Sequence, residues 1–423
     1  MKVLIKKAKV IAQNSPFHNK VVDLFIQNGI IKEIGDLNIK ADKTIEGNGL
    51  HVSVGFMDMR AFSKEPGFES MESLESLSQA ASKGGFTEVA IMPNTQPIIQ
   101  SKESIKYFQH FSKGSLVNLL PTAAVTKDLK GEDFTEMWDL LEAGVVAFTD
   151  GKKPLWNSDI LYKTLQYLYP KKALLMNRAE EPTLAAFGQM HDGINSTMMG
   201  TKGIPSEAEE LMIMRDLKLL EYADLQHDNS LLHFSCISTA AAVKLIKKAK
   251  ANGLPVSCDI AAHQLVFTDE DVSDFDTNLK VNPPFRSKRD IKALQKGLAE
   301  GTIDAIVSDH NPLDEEHKNM EFDLAEFGVI GLQTAFSAAL THGEQDLETL
   351  INAFTTNPRR ILKRENIIVQ EGEAANLTVF NPEESFIFQE KDILSKSKNS
   401  PFIGKELKGK IVATFHNGLF EIY

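Results

Sequence analysis

SLLHFSCISTAAAVKLIKKAKANGLPVSCDI, residues 230–260, reads as strand, helix, strand. Two apolar runs, SLLHFSC (230–236) and LPVSCDI (254–260), flank an amphipathic stretch that ends in Asn-Gly, a helix stop signal. Working outward, the same alternation recurs. Upstream lie VSVGFMDM (52–59), FTEVAIMP (86–93), LVNLLPTAAV (116–125), GVVAFT (144–149) and KALLMN (172–177), and downstream lies TIDAIVSD (302–309). Helical patterns such as MESLESLSQAASKG (71–84), PSEAEELMIMRDLKLLEYA (205–223) and SKRDIKALQKGLAEG (287–301) fall between them. Eight β runs with intervening helices predict a parallel α/β fold, and eight is the number that closes a (β/α)8 barrel. An open doubly wound sheet is the alternative, but no GxGxxG fingerprint follows the first strand.

The two ends of the chain differ from this middle. KVVDLFIQNGIIKEIG (20–35) places two β runs around Asn28-Gly29, and GKIVATFHNGLFEIY (409–423) does the same around Asn417-Gly418. Both dipeptides are hairpin signals. Residues 1–52 and 366–423 are therefore expected to build one small β-sandwich domain together, with residues 53–365 forming the barrel.

Composition narrows the function classes. Of 423 residues, 42% are hydrophobic and 25% charged, and the formal net charge is −12. An acidic chain without a basic stripe argues against nucleic acid as a partner and against an anionic membrane. The opening MKVLIKKAKVIAQN carries no long apolar core and no cleavage site, so a cytoplasmic location is expected. Two cysteines, Cys236 and Cys258, make no disulfide framework and suit a reducing compartment.

In such a barrel, chemistry gathers where strands end. The segments at those places are recognisable: GFMDMRAFSKEPG (55–67), MPNTQP (92–97), GIPSEAEELMIMRDLKLL (203–220), NPPFR (282–286), DAIVSDHNP (304–312), FGVIGLQT (327–334) and NPRRIL (357–362). With ANLTVFNP (375–382) and SPFIGKELKGKI (400–411), they resemble dihydroorotases of the amidohydrolase superfamily in order and spacing, over essentially the whole chain. The resemblance is nearest to the type that can associate with aspartate carbamoyltransferase. It implies a TIM-like barrel and a role in pyrimidine biosynthesis, interconverting N-carbamoyl-aspartate and dihydroorotate through a hydroxide held on zinc.

The same resemblance exposes departures. The family's first strand ends in Asp-x-His-x-His, whereas Asp58 is followed here by Arg60 and Phe62. A guanidinium is never deprotonated and a phenyl ring offers no lone pair, so neither serves as a ligand. Arg178 stands where the fifth strand has a histidine, and Cys236 where the sixth has another. Lys64 replaces a substrate-gripping arginine and loses its bidentate fork. Of two family histidines His263 remains, with Gln264 beside it, and Leu313 replaces a substrate-facing histidine. Asp150 remains of a pair of acids and is a possible remnant ligand. Asp309 matches the catalytic acid, while Asn94 and Asn282 match substrate-contacting amides, so the resemblance implies substrate contacts from Lys64, Asn94, Asn282 and His263.

Each residue also has a plain structural role open to it. Cys236 reads as a small apolar core residue, His233 and His310 as hydrogen-bonded structural histidines, Asp309 as a member of an ion pair, and the asparagines as loop holders. Arg60 and Arg178 are expected to replace a metal's charge by reaching Asp309, with Asp150 nearby. The functional expectation is a catalytically defective dihydroorotase-like protein that needs no cofactor. It would act as a structural or regulatory partner of aspartate carbamoyltransferase or of itself, with a dihydroorotate-like molecule as candidate ligand. The alternative is an active dihydroorotase or related cyclic-amide hydrolase with an atypical zinc site.

Overall fold

Both ends of the chain enter one sheet. In the computed structural model, which describes residues 1–423, the N-terminal segment gives β1 (Lys2–Ile11), β2 (Val21–Gln27), β3 (Ile30–Gly35), β4 (Lys43–Ile45) and β5 (His51–Val54). The middle gives β6 (Phe56–Ala61), β7 (Phe86–Ile91), β8 (Asn118–Pro121) and β9 (Leu175–Arg178), then the two-residue β10 (Met190–His191) and β11 (Gly203–Ile204). It continues with β12 (Leu232–Ser235), β13 (Val256–Ala261) and β14 (Ala305–Val307), and the C-terminus adds β15 (Leu377–Ile387), β16 (Glu406–His416) and β17 (Leu419–Ile422).

The terminal sheet runs β17-β16-β15-β5-β1-β2-β3, with β4 paired to β1. Its two tight turns are those the sequence marks. Asn28 and Gly29 sit at φ 52° and 75°, and Asn417 and Gly418 repeat those values. Both positions of each turn need positive φ, which asparagine and glycine tolerate. Ile30 bridges Ala374, so the far edge of the sheet curls back on itself. The curl encloses its own core, which includes Val3, Ile5, Leu24, Val52, Leu377 and Phe415.

The barrel is a closed ring of eight parallel staves. β6, β7 and β8 pair in order, as do β9, β12, β13 and β14. Between these groups the run 144–149 contributes only Phe148, which bridges Ala123 on one side and Leu175 on the other. The ring closes where Ala61 bridges His310. All six residues of β6, β7 and β13 are buried, as strands covered on both faces require. Outer helices present apolar faces to this ring. Several start with a serine capping box, as at Ser73, Ser101 and Ser287, which satisfies otherwise orphaned N–H groups.

One expected strand proves to be two. The run 52–59 divides at Gly55, with β5 in the terminal sheet and β6 in the barrel. A side chain at Gly55 would collide with Asn376 and Thr87, so glycine is what lets the chain pass between the two cores. The foot of the barrel is sealed by Phe56, Phe86, Phe336, Phe354 and Phe380, with the Phe56 and Phe336 rings 4.9 Å apart. At the other end, the segment before β16 bolts the rim. Asn399 donates to the carbonyls of Asn311 (3.1 Å) and Gly328 (3.0 Å), and the Ser395 hydroxyl donates to Glu72.

Candidate functional site

The C-terminal ends of the staves bring together residues distant in sequence. Arg60, in β6, is buried, and its Nε donates to Asp309 Oδ1 at 2.8 Å. Its Nη2 donates to the Gly151 carbonyl at 3.3 Å. The Arg60 guanidinium lies 5.3 Å from the Phe62 ring centroid, and Lys152 Nζ lies 5.1 Å from the same ring. One aromatic ring therefore lies within cation–π range of two cationic side chains. Asp309 itself is in the left-handed region, at φ 45°.

Arg178 differs from expectation. Its Nη2 pairs with Glu180 Oε2 at 2.7 Å and its Nη1 donates to the Lys152 carbonyl at 3.0 Å, so its partner is not Asp309. The cause is local. Residues two apart at a strand end share a face, and Glu180 is within reach before Asp309 is. Asp150 also departs from its expected place as a remnant ligand. Its carboxylate accepts from the N–H groups of Val125 (2.9 Å) and Thr126 (3.0 Å) and from the Thr126 hydroxyl (2.5 Å). It is spent on fixing that loop, and burial raises its pKa despite these bonds.

The remaining residues sort by geometry. Asn94 Oδ1 accepts from the Lys152 N–H at 3.2 Å and so holds the turn 151–152. Asn282 lines the cavity, and its Oδ1 is buried without a partner. His263 is buried edge-on against Phe285, its Nε2 unpartnered, and burial pushes its pKa down to about 4. Lys64 is buried at φ 64°, beside Lys152. Burial first, and then the Lys152 ammonium, push Lys64 down to about 7. Cys236 is buried at φ 53°, and burial raises its thiol pKa, so it is no ready thiolate. Behind it, His233 bonds Ser257 (2.8 Å) and Asp259 (2.7 Å), while the Cys236 N–H donates to Asp259 (2.6 Å). His310 faces Glu72 at 3.3 Å and accepts from the Gly331 N–H at 3.2 Å.

Of these residues Arg60, Phe62, Lys152, Arg178, Asn282 and Asp309 line a cavity of about 390 Å³, and Lys64, Asn94, Asp150, Cys236 and His263 do not. The loop 323–328 forms its outer wall. No three His, Cys, Asp or Glu side chains anywhere in the chain converge as metal ligands would. Sequence reading missed Lys152, Lys280 and Asn311. Lys152 lies three residues past the apolar run GVVAFT (144–149), where a strand end places side chains at the mouth. Lys280 and Asn311 flank or sit within recognised motifs, and Lys280 Nζ donates to the Phe322 carbonyl at 2.5 Å.

A closed eight-stave barrel carrying a curled sheet from both termini is the amidohydrolase architecture. L-hydantoinase (dihydropyrimidinase) from Arthrobacter aurescens superposes with a TM-score of 0.85 at 22% identity, covering 100% of this chain and 97% of that one. A D-hydantoinase from Thermus sp. gives 0.80 at 20% identity, over 99% and 95%. The chain belongs to the dihydroorotase-like family. The family model described as "Dihydro-orotase-like" matches residues 50–241. The dihydroorotase of Pelotomaculum thermopropionicum is 39% identical over 425 residues, spanning 99% of this chain and 98% of the relative. That of Endomicrobium trichonymphae is 38% identical over 428 residues, spanning 99% of each. No helix is long and apolar enough to cross a membrane.

Proposed function

We propose that this chain is a catalytically defective dihydroorotase-like protein of pyrimidine biosynthesis that acts as a structural or regulatory partner of aspartate carbamoyltransferase, in the cytoplasm. The observation that carries the reading is the buried Arg60–Asp309 pair at the barrel mouth. Zinc in such a mouth would supply a hydroxide at neutral pH and a Lewis acid. It needs several nitrogen, oxygen or sulfur donors on one point. The donor set here does not fit it: a guanidinium occupies the carboxylate, a ring fills the next position, and the Cys236 thiol is held protonated. No catalytic step is therefore assigned.

The assembly role has a separate support. The match to the Pelotomaculum thermopropionicum relative runs through barrel and terminal sheet alike, over 98% of that relative's length. An intact barrel around a disarmed mouth suits a chain retained for its outer surface. The test is co-expression with the transferase of the same organism, followed by size-exclusion chromatography with light scattering, and a dihydroorotate turnover assay in both directions. Co-elution with turnover far below about 1 s⁻¹ supports the reading. Separate elution at micromolar concentration defeats the partnership. Turnover at that rate or faster, lost in Asp309→Ala, defeats the defect and favours an atypical-site hydrolase.

A further inference from the structure

We propose that the outward face of the helix Ser206–Ala223 is an interface on which a second copy of this chain docks, across a two-fold axis beside Met214. The inference goes beyond the reading above and does not depend on the state of the barrel mouth.

A helix on the outside of a barrel normally turns polar residues to solvent. This one does not. Its exposed positions include Glu207, Leu211, Met214, Lys218 and Glu221, spaced alternately four and three apart, which is the seam pattern of paired helices. Leu211 is 46% exposed, Met214 44% and the adjoining Tyr222 74%. Aromatic residues gather beside them. Both tryptophans of the chain, Trp138 and Trp156, and four of its six tyrosines, Tyr162, Tyr167, Tyr169 and Tyr222, lie on this helix, on the helices Met137–Glu142 and Ser158–Leu168, or on the turns that border the latter. Trp138 stacks on Tyr167 with ring centroids 5.1 Å apart, and Tyr162 meets Tyr222 at 5.4 Å, so the three helices present one continuous face. Tryptophan and tyrosine are the residues that protein interfaces concentrate.

Charge selects the occupant. The whole chain carries −12, so two copies repel over most of their surface. On this face the charges cancel. Lys163, Lys171 and Lys172 stand against Asp159 on one helix and its end, and Glu207, Glu210 and Glu221 against Lys218 on the other. The order along the helix Ser206–Ala223 is also self-complementary. Glu210 precedes Met214 and Lys218 follows it, so an antiparallel two-fold crossing brings Glu210 of each copy to Lys218 of the other. Within the chain Lys218 pairs with exposed Glu221 at 2.8 Å, while Glu210 is crowded by Glu207 and Glu209. Beside the seam, a groove of about 410 Å³ toward the helix Ala240–Ala251 is lined by Met214, Leu217, Leu245 and Leu254 and by Lys218 and Lys248. The same crossing carries the partner's Leu211 to that groove. The 18-residue helix is about 27 Å long, and three helices side by side span about 30 Å. Such a face offers about 800 Å² per copy, which is what a stable interface of standard size needs.

Sedimentation velocity of the full-length chain across about 1–100 µM tests this. The chain should run as a dimer by the top of that range. Leu211→Glu should weaken association at least about tenfold, with the unfolding midpoint unchanged because the side chain faces solvent in the single chain. Glu210→Lys should weaken it too, and the swap Glu210→Lys/Lys218→Glu should restore it, since the two positions are too far apart along one helix to pair within a chain. Met214→Cys adds a geometric readout, because both native thiols, Cys236 and Cys258, are buried. Copper-catalysed air oxidation should give a covalent dimer from Met214→Cys and none from Met320→Cys, an exposed position near the loop 323–328. A monomer at every concentration overturns the interface and leaves the proposed function standing. A dimer indifferent to Leu211→Glu and Glu210→Lys, with no cross-link at position 214, puts self-association on another face and overturns it as well. A monomeric chain whose co-elution with the transferase is lost in Leu211→Glu gives this face to that partner and overturns the second copy as its occupant.

Discussion

The barrel carries a buried arginine–carboxylate pair at each end, and the two differ in what surrounds them. At the foot, Arg359 pairs with Glu88 at 3.1 Å and donates to the carbonyls of Gly55 (2.8 Å) and Thr355 (3.1 Å). Arg364 backs it at 3.5 Å from the same carboxylate. The aromatic cluster of Phe56 and its neighbours packs at that end. At the mouth, Arg60 pairs with Asp309 beside an open cavity that Lys152 and Arg178 also line. The lesson is that the same ion pair has different meanings at the two ends of a barrel. At the N-terminal face of the staves it locks the fold; at the C-terminal face it occupies the place where chemistry would be done.

The sharpest way to break the comparison is to remove one carboxylate from each end. Glu88→Ala leaves Arg359 buried with Arg364 nearby and nothing to neutralise either. The expected loss is about 3–5 kcal/mol of unfolding free energy in urea denaturation. Arg359→Met should cost less, because Arg364 still reaches Glu88. Asp309→Asn at the mouth should cost roughly 2–3 kcal/mol, since the cavity lets water reach the orphaned guanidinium. Adding Arg60→Met should recover most of that loss, as expected when both partners of a buried pair leave together. A foot loss no larger than the mouth loss would contradict the assignment of roles.

A third test uses pH. Asp58 lies behind Arg60, and its carboxylate takes the Ser308 N–H at 3.0 Å and the Ser308 hydroxyl at 2.5 Å. Burial outweighs these bonds and raises its pKa to about 7. A carboxyl whose folded value is raised contributes stability below pH 4 that is lost as pH climbs toward 7. His263, pushed down to about 4, works oppositely and costs stability as pH falls below 6.5. Comparing the native chain with Asp58→Asn isolates the first effect. Between pH 5 and 6 the native chain should lose up to about 1.4 kcal/mol relative to the variant. Parallel curves would remove Asp58 from the account. The smallest effect is expected from Phe62→Leu, which deletes the ring under Arg60 and Lys152. About 0.5–1 kcal/mol should go in thermal or urea unfolding, with the fold unchanged.

These two ends were unequally legible from sequence. The foot lies within recognisable segments: Arg359 belongs to NPRRIL, and Glu88 to a strand run. Both hairpins could be read because Asn-Gly has a backbone preference of its own. The division at Gly55 could not, because both halves of the run are apolar and only tertiary packing tells them apart. The fourth stave shrinks to Phe148 for a related reason: apolar composition marks burial, not the length of a hydrogen-bonded ladder. At the mouth, charge balance alone led from Arg60 to Asp309. The same reasoning misplaced Arg178, because a choice between Glu180 and Asp309 is one of reach, not charge. Asp150 turns to the neighbouring loop at Val125 and Thr126, and no sequence pattern at Thr149-Asp150-Gly151 reveals that.

The central claim is that the Arg60–Asp309 pair stands where a metal ion would otherwise be held. Elemental analysis of purified protein, prepared with zinc in the growth medium and without chelator, tests it most directly. The account predicts far less than one zinc per chain, with no difference between the native protein and Asp309→Ala. About one zinc per chain, lost in Asp309→Ala or Cys236→Ala, would contradict it.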